Sequence, residues 1–158
     1  MRPSGRTLTA AVAMIVLLLT AAAGFAGTFS ARISKVNDGD SLVVSQKGRL
    51  VDVELAGVRA PGLSQDLGRQ ARELLTQIAH RREARVEVVR EGLNRALVAR
   101  VEVEGQDLAT ALIKAGLARP TSEATEAQLA AAKAARAAEV GLWAAKVGTP
   151  SSPNRKGA

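Results

Sequence analysis

The chain has 158 residues, no cysteine and a formal net charge of +7, enough for one domain and too few for two ordinary ones. Without cysteine there is neither a disulfide framework nor a lipid-modified thiol, so the fold must be held by its core alone. Aromatic residues are scarce: one Trp, two Phe and no Tyr. Proteins that hold single-stranded nucleic acid stack bases on aromatic rings at about 1–3 kcal/mol per base, so recognition by base stacking is excluded.

The first segment, MRPSGRTLTAAVAMIVLLLTAAAGFAG, joins a basic start (Arg2, Arg6) to an apolar run from about Ala10 to Ala23 and the small residues Gly24-Phe25-Ala26. That pattern predicts a secretory signal over 1–26, cut after Ala26, and hence a secreted or periplasmic protein. An uncleaved membrane anchor is the alternative, because Thr7 to Ser30 is uncharged and long enough to span a bilayer. Without Arg2 and Arg6 the 22 basic residues become 20 against 15 acidic ones, leaving +5. A basic exported domain suits a polyanion such as nucleic acid, anionic lipid or cell-wall polymer; the plainer reading is that the charge only aids solubility.

Strands are expected on either side of Asn37-Asp38-Gly39-Asp40, a turn whose residues tolerate positive φ. After a second turn at Lys47-Gly48, LVDVELAGV alternates, with Val51, Val53 and Leu55 on one side and Asp52 and Glu54 on the other. Ser64 is placed to cap a helix running to about Ala79, with Leu67, Ala71, Leu74, Leu75 and Ile78 as its apolar stripe. RVEVVRE (85–91) and ALVARVEVEG (96–105) predict a hairpin, Asp107 opens a short helix stopped by Gly116, and an alanine-rich helix runs from about Glu123 to Val140, with Gly141 as its left-handed end. The tail, 146–158, is Pro-, Ser- and Gly-rich and basic, the composition of a disordered segment. Three strands, a helix, two strands and two helices suit a small five-stranded Greek-key barrel with three helices, closed by the helix between its third and fourth strands, over residues 27–145.

Five pieces in this order resemble the staphylococcal nuclease (thermonuclease) family: VNDGDSLVV (36–44), VELAGVRAP (53–61), Gly68 and Ala71 in the G-x-x-A helix start, DLATALIKAGLA (107–118) and Gly141-Leu142-Trp143. The resemblance implies an OB-fold barrel and, in active members, calcium-dependent cleavage of DNA and RNA phosphodiester bonds. Such a reaction needs a carboxylate to orient or deprotonate water, guanidinium groups for the charge of the transition state, and a hard cation held by carboxylate oxygens.

Carried over by position, Asp40 keeps the first metal-ligand aspartate. Glu54 stands where the first phosphate-binding arginine is expected, Arg59 where the second metal-ligand aspartate is expected, and Gly62 where the general-base glutamate is expected. Arg95 meets the second arginine position only through a one-residue insertion; the ungapped alignment puts Ala96 there. Glu54 opposite an incoming phosphate costs on the order of 1 kcal/mol at an effective dielectric near 20. Losing one transition-state cation typically lowers rate by roughly 10²–10³.

Plainer roles are open for each residue. Glu54 suits a solvent-facing strand carboxylate, a swapped ion pair with Arg59, or a cation site shared with Asp40. Asp38 and Asp40 suit the turn itself, and His80 a helix end. Arg81, Arg82 and Arg85, with Arg90, Arg95 and Arg100, form either a binding face or a solvated one balanced by Glu83, Glu87, Glu91 and Glu102. Trp143 suits a plug between the last helix and the barrel. The sequence therefore predicts a catalytically degenerate nuclease-like domain, exported and acting as a binding or scaffolding module toward a polyanion or an unidentified protein. The alternatives are a calcium-dependent nuclease and a membrane-tethered interaction domain.

Overall fold

A computed structural model describes residues 27–144; the leader (1–26) and the tail (146–158) lie outside the described residues. Five long strands form a barrel: β1 (Thr28–Val36), β2 (Ser41–Gln46), β3 (Arg49–Leu55), β5 (Glu83–Glu91) and β6 (Leu97–Val103). Their order is β3-β2-β1-β5-β6, and a parallel pairing of Val53–Leu55 with Leu97–Ala99 closes the ring. Three two-residue strands that the sequence does not announce complete the set: β4 (Val58–Arg59), β7 (Gln106–Asp107) and β8 (Arg119–Pro120). β7 extends the edge beside β6, and β4 pairs with β8. The helices are α1 (Asp66–Ala79), α2 (Leu108–Lys114) and α3 (Glu126–Ala137).

Alternation along the strands sends Ile33, Leu42, Val44, Val53, Val86 and Val101 inward, where Leu75 of α1 and Leu108, Leu112 and Ile113 of α2 meet them; each is under 2% exposed. Each such side chain contributes about 1.5–3 kcal/mol. The barrel is thus held by aliphatic packing that makes no use of the charged residues at its rim.

The helix ends depart from the sequence expectation in ways the local geometry explains. Gln65, not Ser64, precedes α1, because a turn from Gly62 (Gln65 N–H to Gly62 O, 2.9 Å) takes up Ser64. A Cβ on Gly68 would lie 2.2 Å from that same carbonyl, so only glycine lets α1 sit so close to the turn. α2 is capped as expected, the Asp107 carboxylate accepting from Thr110 N–H. α3 starts later than Glu123, at a capping box formed by Thr125 and Gln128. It also ends earlier than Val140: Glu139 takes the left-handed position past its end. Gly141, also at positive φ, has a different task. Its α-carbon faces Gly116, whose carbonyl accepts from Leu142 N–H at 2.7 Å, and this contact pins the chain's last described turn to the end of α2.

Candidate active-site cleft

Between the β1–β2 turn, the rim of β3, the end of β5 and the loop before α3 lies a cleft of about 310 Å³. Its charged lining is Asp38, Asp40, Glu54, Arg59, Arg90 and Glu123. The turn is built first. Asp38 Oδ1 accepts from the backbone N–H groups of Asp40 (3.0 Å) and Ser41 (2.8 Å) and from the Ser41 hydroxyl (2.8 Å). Gly39 then lies against the site's outer wall, where a Cβ would be 2.6 Å from Ala60 Cβ and 2.7 Å from Ala71 Cβ. This close approach is the physical reason for glycine between the two aspartates.

Asp40 is fixed by two contacts. Its Oδ2 accepts from Ala60 N–H at 3.0 Å, and Arg59 Nε lies 3.8 Å from the same oxygen. Burial pushes the carboxyl above its ordinary range; the Ala60 N–H opposes this, neighbouring Asp38 adds to it, and Arg59 acts in the lowering direction. Arg59 therefore pairs with Asp40. The exchanged Glu54–Arg59 ion pair does not form: Glu54 has no salt-bridge or hydrogen-bond partner among the described residues.

Glu54 nevertheless sits in a defined line. On β3 it faces Ser41 of β2 on one side and Val98 of β6 on the other. Val98 in turn faces Arg90 of β5. An irregularity between Val88 and Arg90 puts two steps of β5 opposite one of β6, and this bulge gives Arg90 the register position at the cleft that Val89 would otherwise hold. Arg90 then forks onto Glu123, Nε to Oε1 at 3.0 Å and Nη2 to Oε2 at 3.3 Å. Its pKa is pushed further up by Glu123, with a smaller contribution from Glu54. Arg90 is expected only on a general basic face and Glu123 only at a helix start. Pattern reading passes over both as cleft residues, because a bulge carries no sequence signature here.

The remaining candidates lie elsewhere. Arg95 ends a 3₁₀ turn, Leu93–Arg95, at a positive φ of 64° and is exposed, outside the cleft lining. The turn closes on its own backbone, Gly92 N–H to Ala96 O at 2.7 Å, and Ala96 is buried. Neither alignment thus brings a guanidinium from this turn into the cleft. Gly62 is exposed, its carbonyl spent on the Gln65 turn. Arg81 is a left-handed turn residue whose N–H bonds Ile33 O. Arg82 pairs with Glu104, Arg85 with Glu102 and Arg100 with Glu87, and none of the three lines the cleft. These exposed pairs form the solvated, charge-balanced face, each worth at most about 1 kcal/mol.

Trp143 does plug the last turn onto the body, but through cations: Arg136 of α3 and Arg119 of β8 lie over its ring, 4.3 and 5.2 Å from the centroid.

A calcium ion needs six to eight oxygen ligands, several of them carboxylate. Here Asp40 Oδ2 is already taken by Ala60 N–H and faced by a guanidinium, Asp38 Oδ1 serves three donors, and Glu123 is clamped by Arg90. Among the described residues no group of three acidic or histidine side chains converges on one point. The cleft residues do not fit a bound calcium.

The end of β3, the later strands and the three helices lie within a family comparison in which residues 52–145 match the model described as staphylococcal nuclease homologue. The chain belongs to the staphylococcal nuclease family. It is also similar to a protein of Haemophilus influenzae described as an uncharacterized endonuclease, 30% identical over 118 residues that cover 72% of this chain. The chain spans 65% of that relative's length. The match runs from within β3 through the last described turn, so Glu54, Arg59 and Gly62 all lie inside it.

Proposed function

We propose that this protein is an exported member of the family that binds nucleic acid through its phosphates and does not hydrolyse it in a calcium-dependent way. The observation that carries this is the Arg59 guanidinium beside Asp40. A cation of the protein stands next to the carboxylate through which the family would engage its metal, and Ala60 N–H holds the same oxygen. The cleft's other cation, Arg90, is neutralised by Glu123, and Glu54 faces any phosphate that enters with like charge. Family membership supports a nucleic-acid ligand, and the leader-like segment 1–26 supports export.

The deciding experiment is a cleavage assay on single-stranded DNA and RNA, with millimolar calcium and with chelator, for the wild type and Asp40→Ala. Binding without cleavage in both metal conditions is the expected result. Calcium-dependent cleavage that disappears in Asp40→Ala overturns the reading, and makes the word endonuclease, as given to the relative, apply to this chain as well.

A further inference from the structure

On the other side of Arg59 from the Asp40 cleft, β4 and β8 bring two arginines face to face: Arg59 and Arg119 are direct partners across the two strands. Like charges placed so are destabilising in a sheet, and an anion between them would remove that cost. Arg119 and Arg136 have no salt bridge among the described residues, whereas Arg82, Arg85, Arg90 and Arg100 each do. Instead both lie over the Trp143 ring. Stacking on an indole holds a guanidinium by its face and leaves its N–H edge unspent. Beside them runs a groove of about 250 Å³ lined by Arg59, Arg119, Ala60, Pro61, Gln65 and Leu142. That is below the roughly 300–1,000 Å³ of sites that enclose a small molecule. It suits one repeating unit of a longer chain.

We propose that the Arg59–Arg119 groove, backed by Arg136 on Trp143, is a phosphate-binding site for a single nucleic-acid strand, placed outside the cleft. The proposal rests on the nucleic-acid-binding reading above and gives it a location. One backbone phosphate sits between the Arg59 and Arg119 guanidiniums and relieves their mutual repulsion, while sugar meets Pro61 and Leu142. Trp143 serves by holding cations and stacks no base, in keeping with the near absence of aromatic residues. Contact is therefore independent of base identity and sensitive to salt.

Trp143 is the chain's one tryptophan, so its emission reports directly on the groove. The test is a titration of the purified chain with fluorescently labelled oligothymidylate by anisotropy, and with unlabelled oligothymidylate by Trp143 emission. It compares wild type, Arg59→Ala, Arg119→Ala and the exposed β1 variant Arg32→Ala across a salt series. Expected are a salt-reversible change in Trp143 emission and weaker binding by both groove variants. The slope of log affinity against log salt should fall by about 0.7 for each phosphate contact removed from a single strand, with Arg32→Ala unchanged. If the wild type binds but Arg119→Ala keeps the same affinity and slope, the site is overturned while the nucleic-acid-binding reading stands. If the wild type binds no strand at low salt, both fall. Should Arg119→Ala fail a thermal-melt check, Arg119→Lys decides: loss of the planar fork at constant charge weakens binding, and wild-type affinity overturns the site.

Discussion

The Asp40 cleft and the Trp143 corner lie on either side of Arg59 and are organised in opposite ways. In the cleft each guanidinium has a carboxylate partner, Arg59 with Asp40 and Arg90 with Glu123, and a further carboxylate, Glu54, stands among them. At the corner Arg119 and Arg136 are held by an aromatic ring and meet no carboxylate among the described residues, and Arg119 faces Arg59, which the two regions share, across a strand pair. Positive charge therefore marks neither region by amount. What distinguishes them is whether the charge is already spent, and a chain's net charge says nothing about that.

The comparison breaks most severely at the corner's anchor. Gly141→Ala puts a Cβ 2.2 Å from Gly116 O at a residue with positive φ. Overpacking costs about 1–3 kcal/mol and the left-handed conformation about 1–2 more. Urea unfolding should show that loss, and Trp143 emission should move toward that of solvent-exposed indole before the global transition. Gly39→Ala strikes the cleft in the same way but without the left-handed cost, since its Cβ meets two other β-carbons at 2.6 and 2.7 Å. A loss of about 1–3 kcal/mol is expected, with the corner's tryptophan emission unchanged, as differential denaturation by emission and circular dichroism would show.

Smaller effects sharpen the contrast. Glu123→Gln removes the clamp on Arg90 and gives the cleft one unspent cation; strand affinity by anisotropy should rise a few-fold and its salt slope should steepen, with little change in melting temperature. Asp40→Asn should have the smallest effect, and its sign follows from burial. Because the folded-state pKa is raised, ionising Asp40 costs stability: the cost is absent below the ordinary value of 3.8 and grows as pH rises through the raised one. The variant, whose amide oxygen still accepts from Ala60 N–H, should melt slightly above wild type near neutral pH. That margin should vanish as pH falls below the ordinary carboxylate range, in parallel melts of the two proteins.

Much of this architecture is legible in the residues. The strand alternation of 51–55, the Asp-Gly-Asp turn, the α1 stripe and the Asp107 cap all act over a few neighbours, and local pattern reports them faithfully. The site is less legible because its decisive features are nonlocal. Arg90 enters the cleft through a bulge, Glu123 reaches it from a loop 33 residues further along the chain, beyond β6 and α2, and Arg119 meets Arg59 through strands of two residues each. Position-by-position transfer puts Glu54 and Asp40 in the cleft, as the structure does, but leaves open whether Arg59 pairs with Glu54; the structure places Arg59 beside Asp40 instead. The sign of a side chain is visible in sequence; which of two nearby partners it takes depends on distances of an ångström or two.

The parallel seam between Val53–Leu55 and Leu97–Ala99 has a kinetic consequence. All other long-strand pairings in the barrel are antiparallel, and β3 gains its second neighbour only when β6 arrives from beyond α1 and β5. Contacts so distant along the chain are slow to form, because loop entropy is lost before they reward it. During synthesis the β3 edge stays open with its amides unpaired, which is the form of strand most prone to pair with another copy. Refolding should therefore be limited by this seam, and nascent chains that stop short of Leu97 should be the species most in need of a chaperone.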